Sequence, residues 1–183
     1  GQLTLALLRA SGQTTITLEI TGGMMQEVYE RIFVSNDLSC REGSDDMVVT
    51  HACKSPCHQR GVGYSGNLPN THPDYLVKED DYNLYLNIID PPSPLFMPLL
   101  FTSFLSFSDK HWSKGRKILI HCNQGESRAP SLALLFMAKC MGSLNNESYE
   151  SAKSDFEQIY PKYNPGRGIQ IYFSKNWESL SDF

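Results

Sequence analysis

The sequence predicts an α/β domain with a short central, mostly parallel sheet flanked by helices. Short β-branched runs lie in the first half of the chain and helical patterns in the second, with one strand–loop–helix unit between them. This order favours helices packed on a short sheet. The 183 residues suffice for one domain with a sizeable core.

The strands are predicted from period-two alternation and from β-branched runs bounded by polar residues. The strand over 82–89 ends at Asp90, where two prolines follow and prevent continuation. Residues 53–74 are rich in Gly, Pro, His and Asn and are predicted to form a long ordered loop. The predicted strands are 14–20, 32–34, 47–50, 82–89 and 117–121.

The helices are predicted from apolar spacing and from their termini. A helix over 96–112 tolerates Pro98 in its first turn, where a proline lacks no needed donor. The helix over 127–141 directs its apolar residues toward the core, namely Leu132, Leu135, Phe136 and Met137. Two further helices are expected over about 146–159 and 168–180.

Composition limits the classes of protein to consider. Hydrophobic residues make up 40% of the chain and charged residues 20%, as in a globular protein rather than a disordered one. The net charge of -4 gives no basic surface for nucleic acid, and no apolar run reaches the ~20 residues of a membrane span. Segment 3–8 is apolar but lacks the basic region of a signal peptide. Residues 1–23 are predicted to be a non-catalytic extension of a domain over 24–183.

The five cysteines argue for free thiols. An odd number weakens a disulfide framework, and a reactive thiol requires a reducing compartment. We therefore expect an intracellular, cytoplasmic protein. The cysteines are Cys40, Cys53, Cys57, Cys122 and Cys140.

The segment from His121 to Arg128 carries the main chemical signal. It follows the buried strand Ile118-Leu119-Ile120 and opens a helix. A loop there can turn its amides inward, and the helix N-terminus adds positive potential, which together make an anion cradle. Cys122 at its floor would be held as the nucleophilic thiolate. Five residues later, Arg128 can bind phosphate oxygens in a bidentate way, and Gly125 suits a tight turn.

This His-Cys-x5-Arg pattern between a strand and a helix resembles the signature of dual-specificity and tyrosine phosphatases. The resemblance implies hydrolysis of phosphomonoesters through a phosphocysteine intermediate, without a metal or organic cofactor. It implies phosphotyrosine and phosphoserine/threonine proteins as substrates. Composition, as above, argues against a membrane or nucleic acid as a partner. The resemblance assigns catalysis to Cys122, Arg128 and Asp90. The predicted phosphate-binding residues are Asn123, Gln124, Gly125, Glu126, Ser127 and Arg128.

The general acid is assigned to Asp90. In the resembled family this aspartate lies on a loop some thirty residues before the cysteine, and here the separation is 122 − 90 = 32. A turn-initiating aspartate before proline is the simpler interpretation of the same residue. Asp80 and Asp81 are weaker candidates, because they precede the strand.

Two neighbours of the cradle receive supporting roles. His121 is predicted to shape the loop by hydrogen bonding to backbone groups rather than to transfer a proton. Ser127 can cap the helix or donate toward the thiolate, and the cap is favoured.

Two positions depart from the resembled family. The family usually has Ser or Thr after the arginine, and here the residue is Ala129. A lost hydrogen bond to a charged group is worth roughly 1.5–3 kcal/mol, so we expect slow hydrolysis of the phosphoenzyme. The resembled family has an asparagine near its last helix, and in this chain that position is Gly166. The support that the asparagine gives to the loop is therefore in doubt here. Arg167 beside Gly166 is expected at a helix start on the surface.

A metal site is a minor alternative in the loop region. His and Cys are zinc ligands, but their spacing here matches no strong paired motif. We therefore predict no metal site and expect a packed loop with reduced thiols. The residues concerned are His51, Cys53, Cys57, His58 and His72.

Two other functions stay open. A phosphate-reading binding module without turnover is supported only by Ala129. An RNA 5′-phosphatase or phosphoinositide phosphatase would need additional basic groups near the cradle, whereas the loop carries Glu126 and no lysine.

Overall fold

The computed structural model describes residues 18–20 and 23–181. This part of the chain forms seven strands and five helices. The strands are β1 (Leu18–Ile20), β2 (Gly23–Tyr29), β3 (Ile32–Ser35), β4 (Met47–His51), β5 (Val77–Glu79), β6 (Asn83–Leu86) and β7 (Lys117–His121). The helices are α1 (Gln59–Val62), α2 (Pro98–Trp112), α3 (Arg128–Lys139), α4 (Tyr149–Ile159) and α5 (Arg167–Asn176).

The strands form one sheet in the order β1-β2-β3-β7-β4-β6-β5. The four central strands β3, β7, β4 and β6 run parallel, and antiparallel pairings add β1, β2 and β5 at the edges. Parallel strands place their carboxyl ends at one edge of the sheet, so the residues that follow β3, β4, β6 and β7 meet there. This architecture confirms the predicted fold class.

Strand β7 shows why the central sheet is buried on both faces. Ile118 and Ile120 belong to the main core beneath the helices, and Leu119 between them packs on the opposite face with Met25 and Val49. The side chains of Ile118, Leu119 and Ile120 are all 0% exposed. A run of apolar residues without alternation is the expected pattern for such a strand.

Helix α3 is the central element of the helical layer. Every residue from Ala129 to Ala138 is buried, because α3 packs on β3 and β7 on one side and contacts α2 and α4 on the other. A helix that is apolar all round is expected in such a position. The predicted inward residues Leu132, Leu135, Phe136 and Met137 are all 0% exposed.

The predicted elements agree with the structure except near short or irregular segments. β7 has the predicted bounds, and Pro98 is in the first turn of α2, as expected. The strand predicted over 82–89 already ends at Leu86, and the predicted loop 53–74 contains the irregular turn Lys54–His58 and α1. β2 and β5 were not predicted, because β2 lacks strict alternation and β5 has only three residues.

The N-terminal predictions are tested only in part. Of the strand predicted over 14–20, residues 18–20 form β1, and residues 14–17 lie outside the described residues. The boundary between an extension over 1–23 and a domain over 24–183 stays a prediction. No helix among the described residues is both long and apolar enough to cross a lipid bilayer.

Candidate active site

The loop between β7 and α3 curls around the sulfur of Cys122. The backbone N–H of Gly125 donates to Cys122 Sγ at 3.3 Å. Cys122 is only 2% exposed, so its sulfur lies at the base of the loop. An N–H directed at the sulfur can stabilise negative charge that develops there. Cys122 and Arg128 therefore lie where the sequence predicts them, at the two ends of a turn that opens α3.

Gly125 is required at its position by both conformation and space. Its φ of +74° lies in the left-handed region, which disfavours residues with a Cβ. A Cβ there would also come within 3.0 Å of the Ser35 carbonyl oxygen at the end of β3. The Cys122 N–H donates to the same oxygen at 3.4 Å, so the loop packs directly on β3.

The connection between α4 and α5 supports the loop from the other side. Tyr160 Oη donates to the Gly125 carbonyl oxygen at 2.8 Å, and the Asn164 N–H donates to the Glu126 carbonyl oxygen at 2.8 Å. Burial, followed by the nearby charges of Cys122 and Glu126, raises the pKa of Tyr160 to about 12. Tyr160 therefore stays protonated as a donor at neutral pH. This support was missed in sequence, because no local motif links residues 160–164 to the loop.

Ser127 does not cap the helix as predicted. It occupies the N-cap position of α3, but its side chain makes no capping hydrogen bond. Its hydroxyl oxygen instead accepts the Gly166 N–H at 2.8 Å. The cause is a tertiary contact, because the segment before α5 brings the Gly166 N–H to the Ser127 hydroxyl in place of an N–H of α3. The role of Ser127 is thus to join the loop to that segment.

The guanidinium of Arg128 connects the loop to the end of β6. Nη2 donates to Asn123 Oδ1 at 2.6 Å, and Nη1 donates to the Ile88 carbonyl oxygen at 3.3 Å. These bonds use two of the five N–H donors of an arginine. Asn123 contacts Arg128 through its side chain, whereas Gln124 and Glu126 are exposed at the rim of the loop.

Asp90 lies beside the loop on the segment that follows β6. Its carboxylate packs on Gly166, where a Cβ would come within 2.0 Å of Asp90 Oδ1. Gly166 itself donates to Ser127. The glycine that replaces the family's asparagine therefore makes room for the predicted acid. Asp80 is held elsewhere, because its carboxylate accepts the N–H groups of Tyr82 and Asn83 at the start of β6.

His121 is fixed by another histidine rather than by backbone groups. It is 0% exposed, and its Nε2 lies 2.8 Å from His51 Nδ1. The two residues are register partners on the parallel strands β4 and β7. The prediction of backbone partners for His121 is wrong, because the pairing of β4 with β7 places the His51 side chain next to its ring. The sequence does not reveal this strand order.

The histidines and cysteines of the loop region separate into two groups. His58 contacts Tyr64 Oη and the Asp74 carbonyl oxygen, and His72 Nδ1 accepts the Asp74 N–H. These two are engaged within the loop itself. His51 and Cys57 instead lie with His121 and with Cys40, which the sequence did not single out. All five cysteines of the chain are free thiols.

Arg167 is exposed at the start of α5, as expected for a surface residue at a helix terminus. It has no place among the contacts that shape the loop.

No family model matches the chain. The chain is 27% identical over 108 residues to mouse dual specificity protein phosphatase 8, covering 58% of this chain and 16% of that protein. It is 29% identical over 125 residues to the tyrosine-protein phosphatase yvh1 of Schizosaccharomyces pombe, covering 65% of this chain and 36% of that protein. The chain thus corresponds to about a sixth and about a third of the lengths of these two relatives.

Solved structures share the fold at low sequence identity. The human tyrosine phosphatase-like serine/threonine/tyrosine-interacting protein superposes with a TM-score of 0.58 at 18% identity, covering 85% of this chain and 96% of that one. A mouse putative dual specificity phosphatase superposes with a TM-score of 0.59 at 13% identity, covering 93% and 94%. The relatives by sequence and the structures by fold agree with the His-Cys-x5-Arg motif. The chain is thus similar in sequence to dual-specificity and tyrosine phosphatases over about 58–65% of its length, and it shares their fold.

Proposed function

We propose that this protein is a cysteine-dependent phosphatase that hydrolyses phosphomonoesters of proteins through a phosphocysteine intermediate. The observation that carries the proposal is the Gly125 N–H directed at a buried Cys122 sulfur, in a turn that ends at Arg128. The similarity to dual-specificity and tyrosine phosphatases supports the reaction class, and the arrangement of the loop supports the roles of these residues.

In the first step, the Cys122 thiolate attacks phosphorus and forms the S–P bond while the P–O bond to the leaving group breaks. Arg128 and the loop amides bind the non-bridging oxygens, where negative charge accumulates in the transition state. The carboxylic acid of Asp90 transfers its proton to the departing oxygen, which leaves as an alcohol or a phenol. Cys122 is now phosphorylated and Asp90 is a carboxylate.

In the second step, the Asp90 carboxylate removes a proton from a water molecule, and the water oxygen attacks phosphorus. The S–P bond breaks and returns its electron pair to sulfur, which regenerates the thiolate and releases inorganic phosphate. Asp90 is again protonated, so the cycle closes without a metal or an organic cofactor.

Phosphoproteins are the proposed substrates, with both phosphotyrosine and phosphoserine/threonine included. Glu126 is exposed at the rim of the loop, and the chain carries a net charge of -4. Both features disfavour polyanionic ligands such as RNA 5′-ends and phosphoinositides. A thiolate nucleophile among free thiols also supports residence in a reducing, intracellular compartment.

The test is turnover of p-nitrophenyl phosphate by wild-type protein and by Cys122→Ser. We expect the substitution to lower kcat by about 10³-fold or more, because it removes the nucleophile. Cys140→Ser is the matched control, since it changes a half-buried cysteine directly after α3. Equal rates for Cys122→Ser and wild type would refute the proposal.

A substrate panel then distinguishes the functions. Initial rates are compared on a phosphotyrosine peptide, a phosphothreonine peptide, a 5′-triphosphate RNA and a phosphoinositide. We expect hydrolysis of the peptides above the other two, and Asp90→Asn to reduce it by about 10²–10³-fold. Tight phosphopeptide binding without hydrolysis would show a binding module instead.

A further inference from the structure

Four metal-ligating side chains from four separate segments meet behind the active-site loop. Cys40 follows the turn Asp37–Ser39, His51 ends β4, Cys57 lies in the irregular turn Lys54–His58, and His121 ends β7. The ligand atoms of Cys40, His51, Cys57 and His121 all lie within 4.8 Å of one another. Three of these residues are buried, and Cys40 is half-buried.

The distances approach those of a tetrahedral site. Cys40 Sγ lies 3.5 Å from Cys57 Sγ and 3.8 Å from His51 Nδ1, and His51 Nδ1 lies 2.8 Å from His121 Nε2. Zinc bonds of about 2.3 Å to sulfur and about 2.0–2.1 Å to nitrogen place tetrahedral ligand atoms roughly 3.3–3.8 Å apart. The sulfur distances already fall in this range. Binding would require the two histidine nitrogens to separate by roughly 0.5 Å, and the ligand atoms that now lie up to 4.8 Å apart to move closer together.

The hydrogen bonds around Asn83 orient His51 as a ligand. Asn83 Nδ2 donates to the carboxylates of Glu42 and Asp80, while its Oδ1 accepts the Gly43 N–H at 2.8 Å. These partners identify Oδ1 as the acceptor that lies 3.1 Å from His51 Nε2. His51 therefore carries its proton on Nε2, and its Nδ1 accepts the hydrogen bond of His121 Nε2. Zinc binding would move the His121 proton from Nε2 to Nδ1, which has no partner among the described residues. Metal-ligating histidines are oriented by the same kind of outer hydrogen bond.

A cavity of about 230 Å³ gives access to the cluster. Its walls include Cys40, His51 and Cys57, together with Glu42, Arg60 and Tyr85. The charges of Glu42 and Arg60 in these walls are of opposite sign and offset each other. Tyr85 stacks on the His51 ring with centroids 4.5 Å apart, which holds the ring in place.

We propose that Cys40, His51, Cys57 and His121 form a zinc-binding site that ties the ends of β4 and β7 to the segments that follow β3 and β4, next to Cys122. Two thiolates and two neutral imidazoles are a ligand set that zinc binds with tetrahedral geometry. The site lies outside the proposed hydrolysis steps and acts by holding the strand that leads into the active-site loop.

The direct test measures zinc in the full chain, reduced, loaded with one equivalent of zinc and washed with a weak chelator. We expect about one zinc per wild-type chain, and for Cys40→Ser an affinity at least about 100-fold lower, because serine is a poor ligand for zinc. Cys140→Ser is the matched control and should retain wild-type affinity.

Cobalt supplies a second readout, which reports metal coordination directly and would not appear if the four residues only packed together. Co²⁺ in the site should show the visible bands of tetrahedral coordination and a thiolate-to-cobalt charge-transfer band, and Cys40→Ser should weaken the latter. Saturating zinc should raise the Tm of wild-type protein by about 5 °C or more, with no such shift for Cys40→Ser. Circular dichroism of the variant checks that it is folded.

Three results would overturn the proposal. The first is that folded, reduced wild-type protein retains less than a tenth of an equivalent of zinc. The second is that Cys40→Ser binds zinc as tightly as wild type. The third is that Cys40 and Cys57 form a disulfide and that reducing it restores no zinc binding. None of these outcomes concerns turnover, so they leave the proposed phosphatase reaction separately testable.

Discussion

At the residue scale, the contact between Asp90 and Gly166 positions the proposed general acid. The carboxylate lies where any side chain at position 166 would have to be, since a Cβ would approach Oδ1 to within 2.0 Å. Where the resembled family has an asparagine, this chain has Gly166, and the Asp90 carboxylate fills the space that a side chain would occupy. The position of the Asp90 carboxylate therefore depends on the absence of a side chain at Gly166.

We expect Gly166→Ala to move the Asp90 carboxylate and to impair leaving-group protonation. Turnover of phenyl phosphate, which has a poor leaving group, should fall by about 10–100-fold, and turnover of p-nitrophenyl phosphate should fall less. In the background of Asp90→Asn, Gly166→Ala should cause little further loss, because both changes act on one group. Wild-type rates for Gly166→Ala on phenyl phosphate would contradict this role.

Ala129 bears on the second step of the proposed reaction. It is 0% exposed in the first turn of α3, where the resembled family usually supplies a hydroxyl. Without that hydrogen bond the thiolate is a poorer leaving group, so the phosphoenzyme should accumulate. Rapid-quench kinetics should show a product burst close to one per active site. Ala129→Ser should shrink the burst and raise the steady-state rate, whereas a strictly linear time course for wild type would refute the idea.

At the scale of elements, the α4–α5 connection supports the loop between β7 and α3. Tyr160, Asn164 and Gly166 each make one hydrogen bond to consecutive residues of that loop. These bonds cross between segments that are distant in sequence, so the loop conformation is a tertiary property. Its shape depends on how α4 and α5 pack on α3.

We expect Tyr160→Phe to weaken this support. It removes the donor to the Gly125 carbonyl oxygen, which should cost about 1 kcal/mol of unfolding free energy in urea titrations. It should also lower kcat/KM, because Gly125 supplies the N–H that contacts Cys122. Tyr172→Phe removes the same group from α5, outside the loop contacts, and should leave kcat/KM unchanged. Identical kcat/KM for Tyr160→Phe and wild type would contradict the proposed support.

At the scale of the whole molecule, His111 links stability to pH. It lies near the end of α2, is 2% exposed, and its Nδ1 accepts a hydrogen bond from Arg116 Nη1 at 2.9 Å. Burial, and then the positive charges of Lys110 and Arg116, lowers its pKa from 6.5 to about 4. The unfolded chain therefore binds a proton at His111 between these values and the folded chain does not.

The stability from neutral His111 is full above pH 6.5 and is lost as the pH falls toward 4. The loss should amount to about 1–2 kcal/mol once solvent screening is allowed for. His111→Asn keeps an acceptor for Arg116 but does not titrate, so its unfolding free energy should depend less on pH in this window. Parallel pH profiles for the variant and wild type, measured by urea unfolding, would exclude this linkage.

Much of the fold could be predicted because its signals are local. The buried run of β7, the helical pattern of α3 and the proline at the start of α2 each involve neighbours in sequence. β2 and β5 were missed because their strand character depends on pairing with β3 and β6. The predicted capping role of Ser127 is wrong for a similar reason, because its hydrogen-bond partner Gly166 is 39 residues away in sequence.

The strand–loop–helix unit and the positions of Cys122 and Arg128 in it follow from local sequence, because five intervening residues fit one turn between β7 and α3. The residues that surround this turn come from distant parts of the chain. Strand order placed His51 against His121, and helix packing placed Tyr160 and Gly166 on the loop. Contacts between distant segments follow from how the whole chain packs, and local spacing carries no record of them.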